Sequence, residues 1–198
     1  MRHNALRDLE AELMEEVCKD VKVEPVLLPL GELNLQLINN NGGNAASKGR
    51  LDVSGVGVWG GHERTFLDIR VTHPNCPSYA DKSTDQIFKL HENEKKKEYN
   101  VRVLEVEKGS ITPMVFLTNG GAGPEANKHH KRIAQLMAER RKEEYSKVLA
   151  YIRRRVSFNL MKSVLTALRG VRGKRREQHR VDPISSFEFG VIPEGKDA

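Results

Sequence analysis

Cysteine is nearly missing: Cys18 and Cys76 are the only two in 198 residues, and no CxxC or HxxxH spacing accompanies them. That argues against a disulfide framework or a structural zinc site and fits a reducing, intracellular setting. No run of about 18 apolar residues occurs, so no membrane-spanning helix and no membrane partner are expected. The first residues lack the apolar core of a secretion signal. Gly120-Gly121-Ala122-Gly123 is not followed by Lys-Ser/Thr, which argues against a Walker phosphate loop and leaves a strand-to-helix turn. Ser54, Ser78 and Ser83 have no His/Asp partners in sequence, and neither His3 nor His129-His130 falls into metal-ligand spacing. Trp59, beside the Gly60-Gly61 turn, reads as a packing residue or a platform for a base. There is no internal repeat.

Charge is what the chain has in excess, and it is unevenly spread. The whole chain carries +6, with 30% of residues charged. Residues 1–30 hold four basic against seven acidic side chains, whereas residues 128–180 hold 17 Lys or Arg against four Glu. A basic block of that size points to a polyanionic partner, with phosphate contacts supplying most of the affinity. Arg153, Arg154 and Arg155, with Lys174, Arg175 and Arg176, are the candidate phosphate contacts.

Periodicity sets the order of elements. Leu6, Leu9, Leu13 and Val17 recur at helical spacing and predict an amphipathic first helix over 4–18. Val21 to Leu30 is β-rich but broken by Pro25 and Pro29, as in an edge or bulged strand. Leu33 to Ile38 is an apolar run of either type, and Asn39 to Ser47 a loop. Two short strands follow, around Arg50–Val53 and Thr65–Val71, joined at Gly60-Gly61. A long helix is predicted over about 83–108, with Ile87, Leu90, Val101 and Leu104 as its apolar positions. A strand from Ile111 to Thr118 and helices over about 125–142 and 144–168 complete the order; the second helix carries Val148, Ile152, Val156, Leu160, Val164 and Leu168 on one face. The last 18 residues lack periodicity. This is an α/β chain with a mixed sheet.

The chemistry sits on the two short strands. Side chains alternate along a strand, so Phe66, Asp68 and Arg70 share one face while Leu67, Ile69 and Val71 face a core. The hairpin brings Asp52 towards Asp68. Two carboxylates at sheet distance suit a hard cation, because Mg²⁺ takes oxygen ligands and commonly one or two carboxylates. A cation two residues further on, Arg70, stands where a nuclease would hold a phosphate.

Asp52 opening one strand and Asp68-Ile69-Arg70 on the next resembles the PD-(D/E)XK superfamily of restriction-like nucleases, with Leu51-Asp52 in place of Pro-Asp and arginine in place of the strand lysine. Longer phrases carry the likeness further: Arg2-His3-Asn4…Arg7-Asp8, Val23-Glu24-Pro25, Arg50-Leu51-Asp52, Phe66-Leu67-Asp68-Ile69-Arg70-Val71, His91-Glu92…Glu94-Lys95-Lys96…Tyr99 and Ser110…Thr112-Pro113. Together they resemble the restriction-like endonuclease domains attached to reverse transcriptases of early-branching non-LTR retrotransposons, over about residues 2–170. The resemblance implies a restriction-endonuclease-like αβββαβ core over about 4–118 with additional C-terminal helices over 125–168. A basic, flexible tail follows over 171–198. In such domains the basic residue can move from the strand to the following helix, marked by Lys-x-x-x-Tyr, which Lys95 and Tyr99 match.

The resemblance further implies Mg²⁺ or Mn²⁺ on Asp52 and Asp68. An acid from the first helix region would complete the site: Asp8, with Glu24 and His3 behind it. Lys95 would position water or phosphate, Arg70 would clamp phosphate, and Tyr99 and Lys96 would lie along the nucleic acid. The implied partner is duplex DNA, with RNA in a parent element, and the implied place the nucleus. Two other readings stay open: a nucleic-acid-binding module of the same fold without cleavage, and a cellular DNA repair or junction nuclease.

Overall fold

Glu24 and Pro25 end the first strand early. Val21 to Leu30 is β-rich, yet β1 spans only Lys19–Val23, because Glu24 takes a left-handed backbone (φ 53°) and Pro25 follows it. The computed structural model describes residues 2–28 and 49–176, and side chains as far as residue 166. The apolar run Leu33–Ile38, the loop Asn39–Ser47 and the last 18 residues lie outside the described residues.

The elements run α1 (Arg2–Glu15), β1 (Lys19–Val23), β2 (Val53–Val56), β3 (Arg64–Thr72), α2 (Thr84–Glu105), β4 (Ser110–Leu117), α3 (Pro124–Arg141) and α4 (Tyr145–Arg176). The four strands form one mixed sheet in the order β1-β2-β3-β4, antiparallel except for the parallel pair β3–β4. This is an α/β fold. The described residues up to Val164 form one compact unit; Leu165 begins a second, helical as far as Arg176.

Strand alternation divides the core as the sequence predicts. Leu67 and Ile69 of β3 pack with Leu6, Leu9 and Leu13 of α1 and with Ile133 and Met137 of α3. Val148, Ile152, Val156 and Leu160 of α4 belong to the same buried cluster. Phe66 faces the other way, with Leu27, Leu51, Val103 and Ile111, under α2. The sheet is therefore covered on both faces. Gly57 (φ 113°) supplies the left-handed turn between β2 and β3.

Helix α2 starts on a capping box, in which Ser83 and Gln86 exchange side-chain and backbone hydrogen bonds. Its buried face differs from the predicted one. Ile87 is buried, but Leu90, Val101 and Leu104 are 40–47% exposed, and His91, Glu92 and Arg102 are buried with Phe88 and Val103. The helix lies over the strand face that carries Asp68 and Arg70, so its inward stripe is polar.

One buried polar contact ties α1 to α3. Glu10 is fully buried and accepts from His130 Nε2 at 2.8 Å, with His129 Nε2 3.9 Å from its other oxygen. Burial pushes the Glu10 carboxyl up, but the contact with His130 outweighs it and holds it below the ordinary carboxylate range. Burial drives His129 down to about 4, so its ring is neutral in the fold. Unfolded, the same ring takes up a proton near pH 6.5. Between those values the unfolded chain binds the extra proton, so stability is lost as pH falls from about 6.5 to 4, by up to about 3 kcal/mol from this ring. Urea midpoints across that window will show it, and His129→Leu is expected to flatten the dependence.

Candidate active site

Asp52 stands immediately before β2, where its amide donates to Leu67 O on β3 (3.0 Å). Its carboxylate reaches across the hairpin: Oδ2 accepts from the Ile69 amide (2.6 Å), so it lies against the backbone beside Asp68. The same oxygen accepts from His3 Nε2 of α1 (3.0 Å), and that hydrogen bond raises the His3 pKa. Three elements thus meet at one carboxylate.

Asp68 lies mid-strand on β3 and is 7% exposed. Lys95, at the start of the second half of α2, places Nζ 2.9 Å from Asp68 Oδ2 and 3.7 Å from Glu98 Oε2. The contact with Asp68 is a charge contact, since that oxygen is buried without a well-aligned hydrogen-bond donor. Burial pushes the Asp68 carboxyl up to about 6 against the pull of Lys95, and Asp52 and Glu98 push the same way as burial. Burial lowers and Asp68 raises the Lys95 ammonium; the acid wins, so Lys95 stays a cation. Tyr99, one turn further on, lies under the same ammonium at 5.7 Å from the ring centroid, and burial raises its phenol.

Arg70 shares the Asp68 face but turns along α2. It donates to Glu94 Oε2 (2.7 Å), which also accepts from Nδ1 of the buried His91 (3.2 Å), whose Nε2 accepts from Tyr79 OH (3.0 Å). Lys96 pairs with Glu125 at the start of α3. Asp8 is exposed and pairs with Arg7, while Glu24 pairs with Arg7 and Arg50. His3, not either acid, is the group from the first helix that reaches Asp52. In α4, Arg153 and Arg154 are exposed and Arg155 pairs with Glu12 (2.6 Å). Lys174, Arg175 and Arg176 lie beyond the described side chains.

Asp52 and Asp68 are the residues that could hold a hard divalent cation. Asp52 and Asp68 supply two carboxylates, and the buried, poorly satisfied Asp68 Oδ2 is the kind of oxygen such an ion takes. Among the described residues no cluster of three or more His, Cys, Asp or Glu side chains is placed to hold a metal. The remaining positions of such an ion would go to water or backbone oxygen.

Two features escaped the sequence reading. The His91–Glu94–Arg70 chain and the Glu98 contact follow from α2 residues three and four apart, but only once α2 lies on the sheet's polar face. The other is Glu92, which accepts the Glu125 amide and so caps α3. Gly123 makes that possible, because a Cβ there would fall 2.5 Å from Glu92 Oε1. The glycine cluster after β4 thus receives a carboxylate of the chain's own. No helix among the described residues is long and apolar enough to cross a membrane. No protein-family model matches this chain, and neither curated proteins nor solved structures compared with it give a match.

Proposed function

We propose that this chain is a metal-dependent DNA endonuclease domain of the restriction-endonuclease-like, PD-(D/E)XK type, which nicks target DNA for a mobile genetic element. The observation that carries the reading is the meeting of Asp52, Asp68 and Lys95, from the start of β2, from β3 and from α2. The element order α1-β1-β2-β3-α2-β4 is the order such a core has. A nuclear setting goes with this reading.

In this mechanism Asp52 and Asp68 would hold Mg²⁺ or Mn²⁺, which would supply Lewis-acid neutralisation of phosphate charge and acidify water. The other roles belong to the chain. The Ile69 amide and His3 fix the Asp52 carboxylate, so it needs no reorganisation when charge develops. Lys95, held as an ammonium, orients water or the phosphate and offsets developing negative charge. Arg70 is paired with Glu94, and its guanidinium would clamp phosphate rather than act as a base. The test is nicking of supercoiled plasmid with and without Mg²⁺ or Mn²⁺. Metal-dependent nicking supports the reading. Duplex binding with no nicking in either metal would instead favour a binding module without cleavage. Preference for branched over linear duplexes would favour a repair or junction nuclease.

Sequence-independent affinity resides in the C-terminal basic region. Neutralising Arg153, Arg154, Arg155, Lys174, Arg175 and Arg176 together is expected to flatten the salt dependence of duplex binding. The log–log slope falls by about 0.9 for each phosphate that no longer meets a cation. Anisotropy titrations across salt concentrations measure it, and an unchanged slope would show that these side chains do not meet DNA.

A further inference from the structure

On the other face of the sheet from Asp68, an open groove of about 680 Å³ runs along α3. Its fixed wall is Trp59. The indole N–H donates to Thr112 Oγ1 on β4 (3.2 Å), and the ring meets His129 edge-on at 6.4 Å. Thr112 pairs with Leu67, on the face opposite Asp68. The ring therefore has its polar atom satisfied and its orientation set, while the residue remains partly exposed. Lys128 holds Nζ 5.2 Å from the ring centroid. Lys131 and Arg132 follow on the same side of α3, three and four residues on, and line the groove with it. Arg132 is anchored to Val58 O, next to Trp59 (2.8 Å). At the far end Tyr145 is 43% exposed, beside Glu139 and Glu143.

This composition is ordered. One end joins an immobilised aromatic ring to three cations; the other holds a second aromatic ring and two carboxylates. A uniform phosphate face would lack the acids, and an apolar docking groove would lack the cations. An aromatic ring beside cations is how proteins take nucleic acid whose bases are unstacked, each base having a π-face and each link a phosphate. A base inside a duplex offers only its edges, so a ring set in a groove meets a base face only after unpairing.

We propose that the groove binds an unpaired DNA strand, with a base stacked on Trp59 in place of Lys128 and its phosphates on Lys128 and Lys131. Glu139 and Glu143 repel the backbone from the far end and so fix where the phosphates go. The choice of DNA over RNA rests on the endonuclease reading; the stacking site itself does not. Groove and carboxylates lie on opposite faces of the sheet, so the strand held here is bound apart from the reacting phosphate.

Trp59 is the chain's one tryptophan, so fluorescence excited at the red edge of indole absorption, where tyrosine does not absorb, reports this site alone. The full chain, without metal, is titrated with an oligothymidylate about a dozen nucleotides long, within the usual span of such sites. Parallel titrations use its ribonucleotide counterpart, a blunt duplex of equal length and inorganic tripolyphosphate. Saturable quenching by the DNA single strand, and little by duplex or tripolyphosphate, is expected. Trp59→Leu is expected to weaken binding of the labelled oligothymidylate by ~5- to 100-fold, with Trp59→Phe retaining most of the affinity. The double variant Lys128→Ala/Lys131→Ala, which removes two exposed side chains and no buried group, is expected to lower the log–log salt slope by about 1.4. No quenching where anisotropy shows saturated binding, or an unchanged slope in the lysine variant, would overturn the site. Tighter quenching by the RNA strand would overturn its assignment to DNA. Quenching without nicking would leave this site standing and defeat the endonuclease reading; nicking without quenching would do the reverse.

Discussion

Asp68→Asn is expected to cut metal-dependent nicking by about a thousandfold, equivalent to ~4 kcal/mol of barrier, while duplex affinity without metal stays nearly unchanged or rises. The side chain is buried between β3 and α2, so it makes little direct contact with a duplex, and removing it deletes a negative charge near phosphate. The pH profile gives a second, independent readout. Burial pushes the Asp68 carboxyl up to about 6. Below that value the group carries a proton and is no ligand; above it the carboxylate is free to bind metal. Nicking is therefore expected to rise between about pH 5 and 7 and then level off. More Mg²⁺ shifts that limb to lower pH, because the cation competes with the proton for the same oxygens. Single-turnover nicking across pH and metal concentration measures both effects. Wild-type nicking by Asp68→Asn, or a limb insensitive to metal concentration, would remove Asp68 from the site.

How much of this was legible without coordinates differs by element. Alternation along β3 told Leu67 and Ile69 from Phe66, Asp68 and Arg70, because period two leaves no choice of face once one face is buried. The stripe Val148, Ile152, Val156, Leu160 was equally plain, and all four are buried. Helix α2 misled. Its apolar residues Leu90, Val101 and Leu104 suggested a core face, yet they are exposed, while His91, Lys95 and Arg102 turn inward. Hydrophobic periodicity finds helix faces that bury apolar area; it is blind to a face buried because its charges match those on a strand. The signal was there in another form: positions 91, 95, 98 and 102 repeat a polar residue every three or four, matching the acid and cation two residues apart on β3. Contacts such as Glu10 with His130, 120 residues apart, carry no local signal at all.

Lys95→Ala is expected to slow the chemical step by about 10²- to 10³-fold, the cost of losing one preorganised charge at a developing anion. Lys96→Ala and Lys97→Ala are expected to stay within about threefold of wild type, because neighbours on a helix point about 100° apart. The structure gives that expectation its geometry: Lys95 meets Asp68, Lys96 meets Glu125, and Lys97 is exposed. A rate loss alone would not separate chemistry from a disturbed fold, but the pH limb does. Lys95 is what pulls the Asp68 carboxyl down against its burial. Without it, Asp68 holds its proton to higher pH, so the limb in Lys95→Ala moves above pH 6 while that in Lys96→Ala does not. Arg70→Ala tests the competing assignment. Arg70 is tied to Glu94, and Arg70→Lys keeps a cation there, so a residue that only clamps phosphate tolerates lysine. Single-turnover rates for the four alanine variants decide between the two cations. Equal, small losses at all three lysines with a large loss at Arg70→Ala would return the basic role to the strand. The two aspartates would then stand without Lys95.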